Sequence, residues 1–456
     1  VNLNTGSLSK YSASKIKKLW LPIRFNLIFI IRLFQSVFNR EYKYACHKDA
    51  KSNVLFVSHL TSVRQLSQDK DAYFGDLPGL LLEQGIGGSI ALINHARSSS
   101  QDILSGWKGS EICRFVLSPS LSFLCEIRLY LTQIKAKRLL KSILKDLQID
   151  ETLAKDILCH HLSSNTLNSL RIARQVVDIA NQTGAKFVIT TYEGHAWERL
   201  VYYYVRKTNP NIKCFGFQHA AVFECQHAIK RPLSVGYNPD IVLTSGLIAK
   251  DILGQWWSKE RGVVCIGSPK YSTPSAITNK SQTCLVVPTY FVKECLDLFQ
   301  FSLIYAKKHQ DQKFIWRLHP LISFDKLKKY SSIFKELPNN ICLSEGGLEK
   351  DIKDCDSVLY HASTAVINAV NSGLKPIYYQ QSSDELSIDP IYTHKEGKSI
   401  VHNQEELSLA LDRDIDAKTM QSLQDFAQDF YTPLDVSALL RELGLALDRD
   451  INAKTL

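Results

Sequence analysis

The sequence predicts an α/β protein built from two consecutive doubly wound domains, and three observations carry that prediction. Short apolar runs alternate with amphipathic stretches from Asn53 onward. The alternation stops across Gly267–Gln282 and then restarts. The chain's 456 residues also exceed what one hydrophobic core usually serves.

In chain order, the apolar runs Val54–Ser58, Ser89–Asn94, Cys113–Leu117, Lys186–Thr190, Lys213–Phe217, Ile241–Thr244 and Val263–Ile266 read as strands. Helical patterns lie between them at Leu77–Gln84, Leu121–Leu147, Thr152–Thr183, His195–Lys207 and Ala249–Trp257. Such a β-α-β rhythm indicates a parallel sheet covered on both faces. Gly267–Gln282 is rich in Ser, Thr and Pro without periodicity, which suits an interdomain linker.

The second half gives strands at Cys284–Pro288, Lys313–Leu318, Asn340–Leu343, Ser357–Tyr360 and Lys375–Tyr379. Its helices are expected at Phe291–His309, Phe324–Phe334, Leu348–Lys353 and Ser363–Ser372. The organisation is therefore a basic amphipathic segment at 1–50, a first domain at 51–268, a linker at 269–282, a second domain at 283–405 and a helical tail at 406–456. In the tail, Leu409–Thr419 and Leu445–Thr455 are near-identical, differing only at Asp416 and Asn452. Two copies are too few for a solenoid, and the Asp-x-Asp of each reads as a solvated face, not a metal site.

The formal charge of +10 is concentrated at the start of the chain. Residues 1–48 hold nine Lys/Arg against the single acid Glu41, so the remainder is nearly neutral. A nucleic-acid protein would more often spread its cations over the folded surface, so no nucleic-acid partner is expected. Within Lys18–Arg40, Arg24, Asn26, Arg32 and Gln35 interrupt the apolar residues, and no run approaches the ~18 needed to span a bilayer. At about 100° per residue, Arg24, Arg32, Gln35, Ser36 and Asn39 share one side of a helix; Trp20, Ile23, Leu27, Ile30, Ile31 and Phe34 share the other. That pattern suits the surface of an anionic membrane, reached from the cytoplasm. A helix packed on the protein or a partner subunit is the alternative. The eleven cysteines are scattered without C-x-x-C or zinc-ligand spacing, which fits reduced, buried thiols.

Three strand ends carry residue types suited to chemistry. Glu193-Gly194 follows the strand ending at Thr190; a carboxylate there can act as a general base, or can cap the helix that begins at His195. Arg317-Leu318-His319-Pro320 closes a second-domain strand, and Pro320 disfavours helix at His319. An imidazole so placed can donate to a phosphate oxygen. Ser363-Thr364 opens a helix, where hydroxyls and free N–H groups form a phosphate site or an ordinary cap. Glu345, after another second-domain strand, could bind ribose hydroxyls. Gln218 and His219 end a first-domain strand, and with Gly194 and Arg317 they are candidates for substrate contact. Gly267-Ser268-Pro269-Lys270 reads as a hinge, Asp76 and Gly79 as acceptor lining, and His227, Lys230 and Arg231 as a positive cluster.

The order of these motifs, acid-Gly in the first domain and then His-Pro and Ser-Thr in the second, resembles the bacterial GT-B sialyltransferases and related transferases of CMP-activated sugars, including Kdo transferases of capsule synthesis. The resemblance spans roughly residues 53–380 in architecture, through motifs of two or three residues. It implies two Rossmann-like domains facing across a cleft and an inverting, metal-independent transfer of an acidic sugar from a CMP donor to a surface glycan or glycolipid, as in capsule, O-antigen or lipopolysaccharide synthesis. By resemblance Glu193 is the base, His319 with Pro320 meets the CMP phosphate, and Ser363 and Thr364 are further phosphate ligands. No cofactor besides the nucleotide sugar is implied. Many of those transferases place two acids before the Gly, whereas Tyr192 holds the earlier place here. A UDP- or GDP-sugar transferase, a nucleotide-sugar epimerase and a non-catalytic polysaccharide-assembly protein are the alternatives.

Overall fold

The computed structural model describes residues 15–38, 42–44, 51–96, 98–107, 110–161, 163–257, 262–274, 282–320, 322–382 and 386–445. The chain opens with α1 (Lys15–Phe38) and the short strand β1 (Tyr42–Tyr44). The alternating part follows as β2 (Val54–Leu60), α2 (Leu77–Glu83), β3 (Gly88–Asn94), α3 (Ser100–Ser105) and β4 (Cys113–Leu117). Three helices come next, α4 (Phe123–Asp146), α5 (Glu151–His161) and α6 (Ser164–Thr183). Then come β5 (Phe187–Thr191), α7 (Ala196–Thr208), β6 (Lys213–Gln218), α8 (His227–Lys230), β7 (Ile241–Thr244), α9 (Leu247–Gly254) and β8 (Val263–Cys265).

The first sheet runs β1-β4-β3-β2-β5-β6-β7-β8. The pairs β4-β3, β3-β2, β2-β5 and β5-β6 are parallel, and β1 joins antiparallel. Every residue of Phe187–Thr191 is buried, as a strand covered on both faces requires. The expected helix Thr152–Thr183 is in fact two. Ser163 accepts from the Thr166 N–H and starts α6 afresh, a break that a single serine makes without disturbing the apolar pattern. Helix α4 is fastened to α6 by a buried, two-pronged ion pair in which Arg171 Nε and Nη2 each donate to Glu126 at 2.8 Å. Gln175 of α6 in turn brackets Ser118 through its N–H and carbonyl.

The second sheet belongs to β9 (Thr283–Val287), α10 (Val292–Lys308), β10 (Lys313–Trp316), α11 (Phe324–Tyr330), β11 (Ile341–Leu343), α12 (Leu348–Lys353), β12 (Ser357–Tyr360), α13 (Ala365–Asn371), β13 (Lys375–Tyr379) and β14 (Ser399–Val401). Its order is β11-β10-β9-β12-β13-β14, parallel throughout. Helices α14 (Gln404–Asp412), α15 (Ala417–Phe430) and α16 (Val436–Leu443) complete the tail. One face of this sheet is packed by Leu298, Phe299, Trp316 and Phe334, the other by Val358, Val366, Ile367, Leu423 and Phe426.

The two parallel-sheet, Rossmann-like units make this a GT-B fold. By compactness the chain divides into residues 1–217 with 232–242, and residues 218–231 with 243–456. Ala221, Phe223, Ile248 and Tyr271 pack into the second unit's core, which explains that membership. The expected boundary at 268 and the linker's start therefore fall inside the second unit, and residues 275–281 lie outside the described residues. Gly267 is no loose hinge. It has φ +81°, and a Cβ on it would stand 1.9 Å from the Pro433 carbonyl oxygen. The adjacent Ser268 N–H donates to Thr432 O at 2.9 Å.

In the tail, the first repeat copy ends α14 and then caps α15 through Asp416, which accepts from Thr419 N at 2.9 Å. The second copy lies outside the described residues from 446 onward. The thiols depart from expectation at Cys113 on β4, which is disulfide-bonded, whereas the nine other cysteines among the described residues are free.

Candidate functional site

Both sheets reverse their winding direction once. In the first, the chain builds outward from β2 through β3 and β4, then returns to place β5 on the other side of β2. In the second, it builds from β9 through β10 and β11, then returns to place β12 beside β9. Ligands of open α/β sheets bind beyond the carboxyl ends of the strands at such reversals. Both reversals are lined by the side chains expected to carry chemistry, together with others the sequence did not reveal.

At the first reversal, β5 ends at Thr191 and the chain turns through Tyr192, Glu193 and Gly194 into α7. Gly194 has φ +83°, a left-handed conformation that favours glycine. The turn is held from beneath by Glu198. Its buried carboxylate accepts from Glu193 N at 3.1 and 3.2 Å and from His195 N at 2.7 Å. Burial raises the Glu198 pKa to about 8. With its backbone fixed, Glu193 keeps 27% of its side-chain surface exposed and meets His195 Nε2 at 3.3 Å. That hydrogen bond raises the His195 pKa against the opposing effect of burial. At the head of α7 it is Glu198 that receives the N–H groups of Glu193 and His195.

On the other side of the reversal, His59 of β2 stands between two partners. Its Nε2 lies 3.1 Å from Thr191 Oγ1, and its Nδ1 lies 3.0 Å from His95 Nε2. Tyr73 and Trp197 approach the same ring edge-on. Burial lowers the His95 pKa. A run of ring nitrogens and a hydroxyl in contact can pass a proton or present several donors to a polar ligand. His59, His95 and Glu198 went unread in the sequence. The available signal was that His59 closes the first strand of a reversing sheet.

At the second reversal, His319 follows β10 with its ring 5.8 Å from Tyr290, which follows β9. Its pKa is lowered, by burial first and by the Lys270 charge second. Ser363 and Thr364 lie half-buried between β12 and α13, and Thr364 makes no side-chain capping bond to that helix. Beside them His361 Nε2 is buried with no hydrogen-bond partner among the described residues. Glu294, buried in α10, ties the two strand ends together by accepting from Thr289 N at 3.1 Å and Ala362 N at 3.4 Å. His319 thus follows β10, and His361, Ser363 and Thr364 follow β12, on either side of β9, a donor-rich setting suited to phosphate.

Other candidates take structural positions. Gln218 is buried, donates to Ala220 O and accepts from Ser245 N and Oγ at 3.1 Å, which uses both ends of its amide. His219 is also buried, and its carbonyl accepts from Lys270 Nζ at 3.2 Å. Arg317 Nη1 is committed to Asp351 at 2.7 Å, Gly346 O at 2.8 Å and Ser344 Oγ at 3.0 Å, so it braces the loop after β11. Glu345 is exposed on that loop, on the edge strand two places from β9. Pro320 follows His319 as the chain leaves β10. Lys230 belongs to no exposed positive cluster: its buried ammonium donates to Phe223 O and Glu224 O. Asp76 pairs with Lys70 at 2.7 Å at the head of α2. Among the described residues, no three His, Cys, Asp or Glu side chains converge as metal ligands.

No family model matches the chain. No curated protein matches it either. Solved structures do resemble it in fold. The calicheamicin glycosyltransferase CalG4 is 10% identical, with 88% of this chain and 99% of that one covered at a TM-score of 0.51. The glycosyltransferase of kitacinnamycin is 11% identical over 86% of this chain and 99% of its own, at a TM-score of 0.50. The UDP-N-acetylglucosamine 2-epimerase of Methanocaldococcus jannaschii is 11% identical over 86% and 99%, at a TM-score of 0.46. At these identities the likeness is one of fold.

Proposed function

We propose that this chain is a glycosyltransferase that takes a nucleotide-activated sugar, with the nucleotide phosphate at the β9/β12 reversal and the acceptor hydroxyl at the β2/β5 reversal. The observation that carries the reading is the Glu193 carboxylate. It stands at the head of a reversing sheet, partly exposed, 3.3 Å from His195 and on a turn that the buried Glu198 holds in place. There it takes the proton from the acceptor hydroxyl as that oxygen attacks the anomeric carbon. The sugar–phosphate bond breaks on the opposite face, and His319, Ser363 and Thr364 receive the departing charge. This is an inverting transfer, and its acceptor is a glycan or glycolipid at the cytoplasmic face of the membrane.

The narrower assignment of a CMP donor carrying an acidic sugar rests on the motif resemblance alone, while the fold equally serves a UDP-sugar. A donor panel decides between them. The purified protein is incubated with CMP-sialic acid, CMP-Kdo, UDP-N-acetylglucosamine and GDP-mannose, and nucleotide release and donor binding are followed. Turnover confined to UDP- or GDP-sugars discards the CMP assignment and keeps glycosyl transfer. Isomerised sugar without transfer makes the protein an epimerase. Binding of none of the donors removes the nucleotide-sugar reading altogether.

A further inference from the structure

Helix α1 packs on the protein by a narrow side led by two aromatic residues. Phe25, Phe29, Arg32 and Ser36, three or four residues apart, form the inward side. Phe25 is buried in a cluster with Leu167, Leu129, Tyr130 and Ile134. Phe29 stacks on Tyr130 of α4 at 4.1 Å, and the Tyr130 hydroxyl donates to Asn26 at 2.8 Å. Arg32 is turned along the helix to Gln35 at 2.7 Å. The opposite side carries Ile23, Leu27, Ile30, Ile31, Phe34 and Val37, with Phe34 70% and Val37 62% exposed. Single exposed apolar residues are ordinary, but six on one helix face form a patch that needs a cover.

Neighbouring α4 adds a second stripe. Leu124, Leu131 and Leu139 are exposed and share a face with the exposed cations Arg128, Lys135 and Arg138. We infer that the outward faces of α1 and α4 form a docking platform for a bilayer surface rich in anionic phospholipid. Charge selects this occupant. The cations of α4 add to the nine Lys/Arg in residues 1–48, where one acid opposes them. A second copy of the chain would set like charges against each other, whereas anionic headgroups complement them. Geometry agrees: Ile23 to Val37 runs about 21 Å along the helix axis, suited to lying in the interface. No helix of the described residues is long and apolar enough to cross a membrane. Leucines interleaved with Lys and Arg let apolar groups enter the acyl boundary while the charged ends remain among headgroups.

The experiment is co-sedimentation of the full chain with vesicles of phosphatidylglycerol and phosphatidylcholine, against phosphatidylcholine alone. Binding is expected to the anionic vesicles and to weaken with salt. The Ile30→Glu/Phe34→Glu double variant should weaken it at least about tenfold, since it removes buried apolar area at the interface. Arg128→Gln, Lys135→Gln and Arg138→Gln should each cost about fivefold. Unchanged unfolding temperatures show that these exposed sites leave the fold intact. Absence of vesicle binding, or equal binding by parent and double variant, overturns the platform. A dimer dissolved by Phe34→Glu without lipid binding also overturns it and gives the face to a second copy. Because the assay reads lipid binding only, its failure leaves the glycosyl-transfer proposal standing.

Discussion

The two sheets reverse at equivalent points, between β2 and β5 and between β9 and β12, yet the groups assembled there differ in kind. The first reversal collects titratable side chains: Glu193 with His195, His59 with His95, and Glu198 buried beneath the turn. The second collects hydroxyls and imidazoles with a buried acid, Glu294, used only to brace the loops. The first can therefore move a proton, while the second can hold an anion. One fold supplies both settings because the reversal opens a crevice whose lining is set by the loops, not by the strands.

The variant with the largest expected effect breaks the proton-handling side. Glu193→Gln should lower transfer by about 10²–10⁴-fold while donor affinity stays within error, as measured by turnover and calorimetry. Undiminished turnover would remove Glu193 from the role. His319→Ala tests the other reversal and should lower turnover about 10²-fold through lost stabilisation of the departing phosphate. If it instead affects acceptor KM alone, the division of labour between the two sites fails. Ser363→Ala with Thr364→Val should raise the donor KM by about tenfold and leave the acceptor KM unchanged, as expected for hydrogen bonds to a charged group.

The smallest effect sharpens the comparison through pH. Glu198 ionises near 4.5 when unfolded and at about 8 in the fold, so folding favours its protonated form. That contribution is complete below 4.5 and is lost as pH rises through about 8. The parent protein should therefore lose stability across that window in thermal unfolding, and Glu198→Gln should flatten this part of the profile. Equal slopes in parent and Glu198→Gln would show that another group sets the pH dependence.

Much of the architecture was legible because a parallel strand announces itself as an apolar run. Cys113–Leu117, Ser357–Tyr360 and Lys375–Tyr379 coincide with β4, β12 and β13 to the residue. The three motifs could be placed at strand ends because each follows such a run directly, after β5, β10 and β12. What escaped depends on long-range pairing. His59 meets Thr191, 132 residues away, and no local pattern marks that encounter. Glu198 is one more acid in the first turn of α7 by sequence, and the two N–H groups it receives meet it only once the Gly194 turn is formed. Arg317 and Gln218 were read as available because their partners, Asp351 and Ser245, lie 34 and 27 residues downstream. The helical periodicity of Lys18–Arg40 gave the two faces of α1, but not which one the protein would cover.

The presence of Ala221, Phe223, Leu423 and Phe426 in one core has a consequence for synthesis. These residues share one core, yet about two hundred positions separate Ala221 from Phe426. At about 5–20 residues per second, the segment 218–231 leaves the ribosome roughly 10–40 s before its partners exist. Its apolar side chains spend that interval without their native cover, which makes this stretch the place for a chaperone to bind a nascent chain. The second unit closes only when Thr432 and Pro433 arrive against Ser268 and Gly267. A ribosome stalled before that point would therefore display a finished first sheet beside a second one that has not closed.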